Sequence, residues 1–183
     1  MSTLAELIDR GIRENGVSQD DTKRIADALP TLEGNTLRRA ILVIGYSFDP
    51  AYRKVIEPYL QYTAKPAVAV EALSVLTTRF ELAPDYIDYI REGLKGYYWD
   101  EFGYVRNECL NSAAYILRQQ PQHEDLARYI YDSLLSSTQT EPDVYAADAA
   151  QIALGATSRE RAFTPFEGPP DLAERFRQRF LTS

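Results

Sequence analysis

Two apolar stripes recur along this chain at about the length of one helix hairpin, and they constrain its fold more than any other feature. One stripe reads Thr36, Ala40, Ile44; Val68, Ala72, Leu76; Val105, Cys109, Ala113; and Tyr145, Ala149, Ala153. The other reads Tyr52, Ile56, Leu60; Tyr86, Ile90, Leu94; Leu126, Ile130, Leu134; and Leu172, Phe176, Phe180. An i, i+4, i+8 spacing lines three side chains along one face of an α-helix. Centres of the first stripe step from Ala40 to Ala72 to Cys109 to Ala149, by 32, 37 and 40 residues. Repeats of that length belong to stacked helix pairs. The pattern therefore predicts an all-α fold, a short superhelical stack of about five antiparallel helix pairs. Such a stack offers an extended surface for holding a partner, which points to a binding protein.

The periodicity predicts ten helices, at 2–15, 18–29, 35–46, 50–63, 66–81, 84–95, 103–119, 123–137, 142–156 and 170–181. Pro50, Pro66, Pro84 and Pro142 each stand at the start of a periodic segment, where a missing N–H costs nothing. Asp49 before Pro50 reads as a carboxylate cap, and Ser18 with Asp21 as a capping box with a shortened acid. Pro58 falls inside a helical segment and should kink it or open its last turn. The apolar run Ile41–Gly45 could form a strand by itself, but it lies within the stripe around Ala40 and reads as buried helix. Gly34, Gly96 and Gly168 fall in connections, and Thr157 to Pro170 reads as a loop. Because each pair leaves an apolar face that needs a neighbour, we expect one α-solenoid domain over 1–183. Within it, 1–33 would be N-terminal capping helices, 34–156 the repeats, and 157–183 a loop and C-terminal helix.

Charge and composition narrow the partner. No apolar run approaches the ~20 residues that span a bilayer, so no membrane association is expected. The opening Met1 to Arg13 is polar and acidic, unlike a secretory signal. A single cysteine excludes an intramolecular disulfide. Cys109 stands where the other repeats carry alanine, so it reads as a small core residue. These features point to the cytoplasm. The net charge of -7 opposes binding to a phosphate backbone, so no nucleic-acid partner is expected. A protein with a basic face is the complementary partner.

The segment 84–95 shows where such a partner would sit. Ile87, Ile90 and Leu94 project to one side with Tyr86 at the edge, Asp85, Asp88 and Glu92 to the other, and Tyr89 lies between. In 123–137, Asp125, Tyr129 and Asp132 occupy the same kinds of position. Consecutive repeats would then present one acidic strip carrying tyrosines, whose rings supply large contact area at low entropic cost. Tyr97 and Tyr98 are expected at its edge, exposed for contact. Trp99 and Phe102 are expected to plug the junction between repeats instead. The candidate protein-binding residues are thus Asp85, Asp88, Tyr89, Glu92, Tyr97, Tyr98, Asp125, Tyr129 and Asp132.

Two resemblances add to this reading. The segments Asp143–Gly155, Tyr104–Ala114 and Pro66–Leu76 resemble the first helices of HEAT repeats, which favour proline, then Val-Arg, then small apolar residues. Val105-Arg106 keeps that pair, whereas Val68-Ala69 lacks the arginine. The likeness covers roughly residues 34 to 156, specifies fold, and says little of function. The run Trp99-Asp100-Glu101-Phe102-Gly103-Tyr104-Val105-Arg106 is similar to a junction in small bacterial HEAT-like immunity proteins of polymorphic toxin systems. That resemblance implies an acidic cytoplasmic protein that binds a secreted toxin domain and blocks it. The alternative is a HEAT-like adaptor or assembly factor for a cellular complex. A more distant option is a HEAT-like lyase or maturation protein acting on a bound cofactor.

The inventory for catalysis is thin, and the expectation is no enzyme, no cofactor and no metal. His123 is the only histidine and reads as a first-turn residue after Pro121. With one cysteine beside it no zinc site can be assembled, and no glycine-rich phosphate loop or nucleophile elbow occurs. Asp20-Asp21 and Asp100-Glu101 could hold a cation, but adjacent carboxylates at helix starts read better as caps.

Overall fold

The structure is a computed structural model that describes residues 2–136, 143–157 and 172–181. It is all-α: 76% of the described residues are helical and none lies in a strand. Its α-helices are α1 (Leu4–Glu14), α2 (Gln19–Ala28), α3 (Gly34–Gly45), α4 (Arg53–Ile56), α5 (Pro66–Ser74), α6 (Ile87–Leu94), α7 (Tyr104–Gln119), α8 (Glu124–Ser136), α9 (Val144–Ala153) and α10 (Leu172–Phe180). Ile41–Gly45 is helical, within α3. No described helix is long and apolar enough to cross a membrane. Pro142, Pro165, Gly168, Pro169 and Pro170 lie outside the described residues, as does most of the expected 157–170 loop.

Local signals start and stop these elements as their chemistry requires. Asp49 Oδ1 accepts from the Ala51 N–H at 2.9 Å, and Ser18 Oγ from the Asp21 N–H at 3.2 Å. A full capping box forms at α1, where Thr3 and Glu6 bond each other's backbone N–H reciprocally. Asp143 caps α9 by accepting from Tyr145 and Ala146. Pro58 has its expected effect. The α-helical turn Arg53–Ile56 gives way to 3-10 helix at Glu57–Gln61, because proline has no N–H to continue the ladder.

The 66–81 segment departs from a single α-helix. It widens into a π-turn at Val75–Arg79, closed by the Phe80 N–H on the Val75 carbonyl at 2.9 Å. The Thr77 hydroxyl donates to the Leu73 carbonyl at 2.8 Å, so a side chain competes for an acceptor the α-ladder would use.

The chain divides into two compact units. The first holds the residues up to Leu82 together with Tyr98–Val105. In it α3 is central, packing on α1, α2 and α5, while α5 also packs on the 3-10 segment Glu57–Gln61. Val75 and Arg79 press on Gly45, and the Arg79 guanidinium lies 4.4 Å from the Tyr46 ring centre.

The second unit holds Ala83–Tyr97 and the described residues from Arg106 onward. There α8 packs on α9, and α10 on both. Arg106 of α7 donates to Ser133 Oγ of α8 at 2.9 Å. α6 meets α7 at Gly93, where the Cys109 sulfur occupies the space a Cβ would need. In each unit the middle residue of every triplet is fully buried: Ala40, Ile56 and Ala72 in the first, Ile90, Cys109, Ile130, Ala149 and Phe176 in the second.

Candidate functional site

The outward faces of α6 and α8 meet through an arginine. Ile90 and Leu94 bury one side of α6, which turns Asp88 and Glu92 to solvent; Asp85, in the 3-10 turn before it, is also exposed. Leu126 and Ile130 do the same for α8, leaving Asp125 and Asp132 exposed. Arg91 then bridges the two helices. Its Nε donates to Asp125 Oδ2 at 2.7 Å and its Nη2 to Asp125 Oδ1 at 3.3 Å, a two-point contact. Its Nη1 reaches Asp88 Oδ1 at 3.4 Å. The Arg91 guanidinium holds the Asp125 carboxyl below the usual range, and Asp125 in turn raises the arginine. Lys95 Nζ donates to Glu92 Oε1 at 2.6 Å, which raises the lysine.

Two of the candidate tyrosines form a pair. Tyr89 is half-buried, and its ring centre lies 5.7 Å from that of Tyr97 at a 44° tilt. The Tyr97 hydroxyl donates to the Tyr89 carbonyl at 3.4 Å. Burial pushes the Tyr97 phenol up to about 12, with the Cys109 thiol adding to the rise. Tyr97 is thus half-buried, not the open ring its place in an aromatic run suggests. Tyr129 is half-buried on α8. The structure therefore brings Asp88, Arg91 and Asp125 together, with Glu92 paired nearby on α6. Tyr98 belongs to the other compact unit and is almost wholly exposed.

Phe102 corrects the expectation for the junction: it is exposed and plugs nothing, while Trp99 is half-buried. Between Tyr97 and Tyr104 the buried residue is Asp100. Its Oδ2 accepts from the Val105 N–H at 2.9 Å, and its carbonyl accepts from the Gly103 N–H at 2.9 Å. Here the capping carboxylate is turned inward, and Phe102, in the turn that follows, is exposed. Asp100, read from the sequence with Glu101 as a cap, does serve the start of α7, whose first residue is Tyr104; the error lay in burying Phe102.

The other chemistry-bearing groups are engaged structurally. His123 is half-buried, with Nε2 2.9 Å from Gln120 Oε1. Asp21 pairs with Arg10 at 2.7 Å and Arg24 at 3.1 Å. Among the described residues no group of three or more His, Cys, Asp or Glu is placed to hold a metal ion. Comparison of the chain with protein families, with curated proteins and with solved structures finds no match.

Proposed function

We propose that this chain is an immunity protein, a cytoplasmic protein that neutralises a cognate bacterial toxin domain by direct non-covalent binding on a HEAT-like superhelical stack. One observation carries the binding reading. Arg91 fastens α6 to α8 through Asp125 and Asp88, in a unit where Asp85, Asp88, Glu92 and Asp132 are exposed and Tyr89 and Tyr129 half-buried. Exposed carboxylates steer a basic partner and partly buried tyrosines supply contact area. The likeness of Trp99–Arg106 to an immunity-protein junction supports a toxin as that partner. Neutralisation by occlusion needs no catalytic group, cofactor or metal.

The test is a binding and protection assay against the product of the adjacent gene, with wild type and an Asp85/Asp88/Glu92→Lys variant. Tight one-to-one binding by wild type, weakened in the variant, supports the reading. Undiminished binding by the variant moves the site elsewhere. A neighbouring product that does not bind replaces immunity by the adaptor reading.

A further inference from the structure

The turn that Asp100 holds has a second consequence. Tyr98 is 95% exposed, Phe102 73% and Tyr104 49%, an uncommon display of rings in so short a segment. The Phe102 and Tyr104 ring centres lie 5.7 Å apart at a 36° tilt. Loop flexibility does not account for the display. Asp100 is buried and ties the turn at two points, accepting from the Gly103 N–H and the Val105 N–H, each at 2.9 Å. Gly103 turns the chain at φ +67°, a left-handed conformation that keeps Phe102 and Tyr104 close. The segment from Tyr98 to Tyr104 carries Asp100 and Glu101 and no basic residue. Electron-rich rings on a tied turn that also carries the exposed Glu101 suit a cation.

We propose that the Tyr98–Tyr104 turn is the docking site for an arginine-bearing segment of a basic protein partner, the guanidinium seated against the Phe102 and Tyr104 rings with Glu101 supplying charge. The proposal rests on the reading above that the partner presents a basic face, and it concerns a turn of the first unit alone. Arginine fits better than lysine because its planar, weakly hydrated cation stacks on aromatic faces. Charge complementarity favours this occupant: with Asp100 buried as a cap, Glu101 is the exposed charged side chain of the Tyr98–Tyr104 segment, and the whole chain is -7.

Trp99 is the only tryptophan and lies within the turn, so its emission reports binding without a label. The probe is a hexa-arginine peptide, titrated at ~0.15 M salt, where distant carboxylates are screened beyond ~8 Å. Calorimetry gives the same affinities independently of the fluorophore. Wild type should bind saturably and ignore a hexa-glutamate peptide. Phe102→Ala should weaken binding about two- to five-fold and Phe102→Ala/Tyr104→Ala about tenfold. Phe102→Leu should lose as much as Phe102→Ala, since it keeps apolar bulk and removes the ring. An Asp85→Asn/Asp132→Asn variant should bind the peptide as wild type does. No saturable binding by wild type overturns the proposal, as does full affinity in the double ring variant or in Phe102→Leu. Peptide binding lost only in the Asp85→Asn/Asp132→Asn variant also overturns it, while leaving the α6–α8 reading intact.

Discussion

Replacing Gly93 by alanine sets two known effects against each other at one atom. Gly93 lies in the last turn of α6, where alanine gains at most about 0.5–1 kcal/mol in backbone entropy and helix propensity. A Cβ there would stand far inside van der Waals contact of Cys109 Sγ, and 3.4 Å from the Tyr97 ring edge. Cys109 is fully buried, so its sulfur has no solvent to move into. Overpacking of this kind costs about 1–3 kcal/mol. The clash should win, with a net loss of about 1–2 kcal/mol and a melting temperature lower by about 3–6 °C. The sulfur is the severe obstacle, because Cys109 Cβ is 3.5 Å from the new methyl, an ordinary contact. Cys109→Ala alone should cost on the order of 1 kcal/mol for the lost packing. In that background Gly93→Ala should be neutral or stabilising, which gives a coupling of at least ~1 kcal/mol in a double-mutant cycle. Thermal melts of the four proteins measure it. A Gly93→Ala protein that melts at or above wild type would refute this account. So would a loss from Gly93→Ala as large in the Cys109→Ala background as in wild type.

Other consequences are open to direct measurement. Ala149 is fully buried in α9, so Ala149→Leu should overpack and cost ~1–3 kcal/mol in a thermal or denaturant melt. The Asp125 carboxyl should titrate below a free aspartate by NMR, and Arg91→Ala should return it toward the ordinary value. Its folded pKa is depressed, so its small contribution to stability is present above the unfolded pKa of about 3.9 and is lost as pH falls through the folded value. Tyr97 has the opposite sign: its folded pKa is raised to about 12, so its contribution is present below about 10 and is lost as pH rises through the folded value. Ultraviolet titration of wild type minus Tyr97→Phe should isolate that late ionisation, and a difference spectrum already complete near pH 10 would contradict it.

The helices were legible because burial follows the stripes closely, and the misses lie where the stripe geometry itself runs out. At 3.6 residues per turn, a step of four residues overshoots a full turn by about 40°. The middle residue of a triplet therefore faces the neighbour squarely, and the ends fan out to either side. Every middle residue is fully buried, whereas Thr36 and Tyr145 at triplet ends are exposed and Tyr52 and Leu134 are half-buried. The π-turn after Ser74 was not legible, because the apolar periodicity that marks the helix does not distinguish α from π winding. Phe102 was misplaced for a related reason. Hydrophobicity argues for burying a ring, but position in a turn is decided by which residue caps the next helix, and Asp100 does so. Likewise, the closeness of Gly93 and Cys109 joins two helices and leaves no mark in either segment alone.

Charge composition misleads in a similar way about the α6–α8 face. Counted along the sequence, Asp85, Asp88, Glu92, Asp125 and Asp132 form a strongly acidic strip with Arg91 and Lys95 as exceptions. In the fold those two bases are engaged within it: Arg91 on Asp125 and Asp88, Lys95 on Glu92. Pairs this exposed contribute little stability, typically ~0–1 kcal/mol, so their main effect is on the field the face presents. Asp125 has its two oxygens turned to Arg91, and a cation from a partner must compete with that contact. Asp85 and Asp132, both exposed, add negative charge beyond the Arg91 contacts. Under the proposed reading, the exposed carboxylates supply the field that attracts a basic protein, while Asp125 is already paired. A surface so arranged suits encounter more than tight anchoring, because the strongest local ion pair is internal.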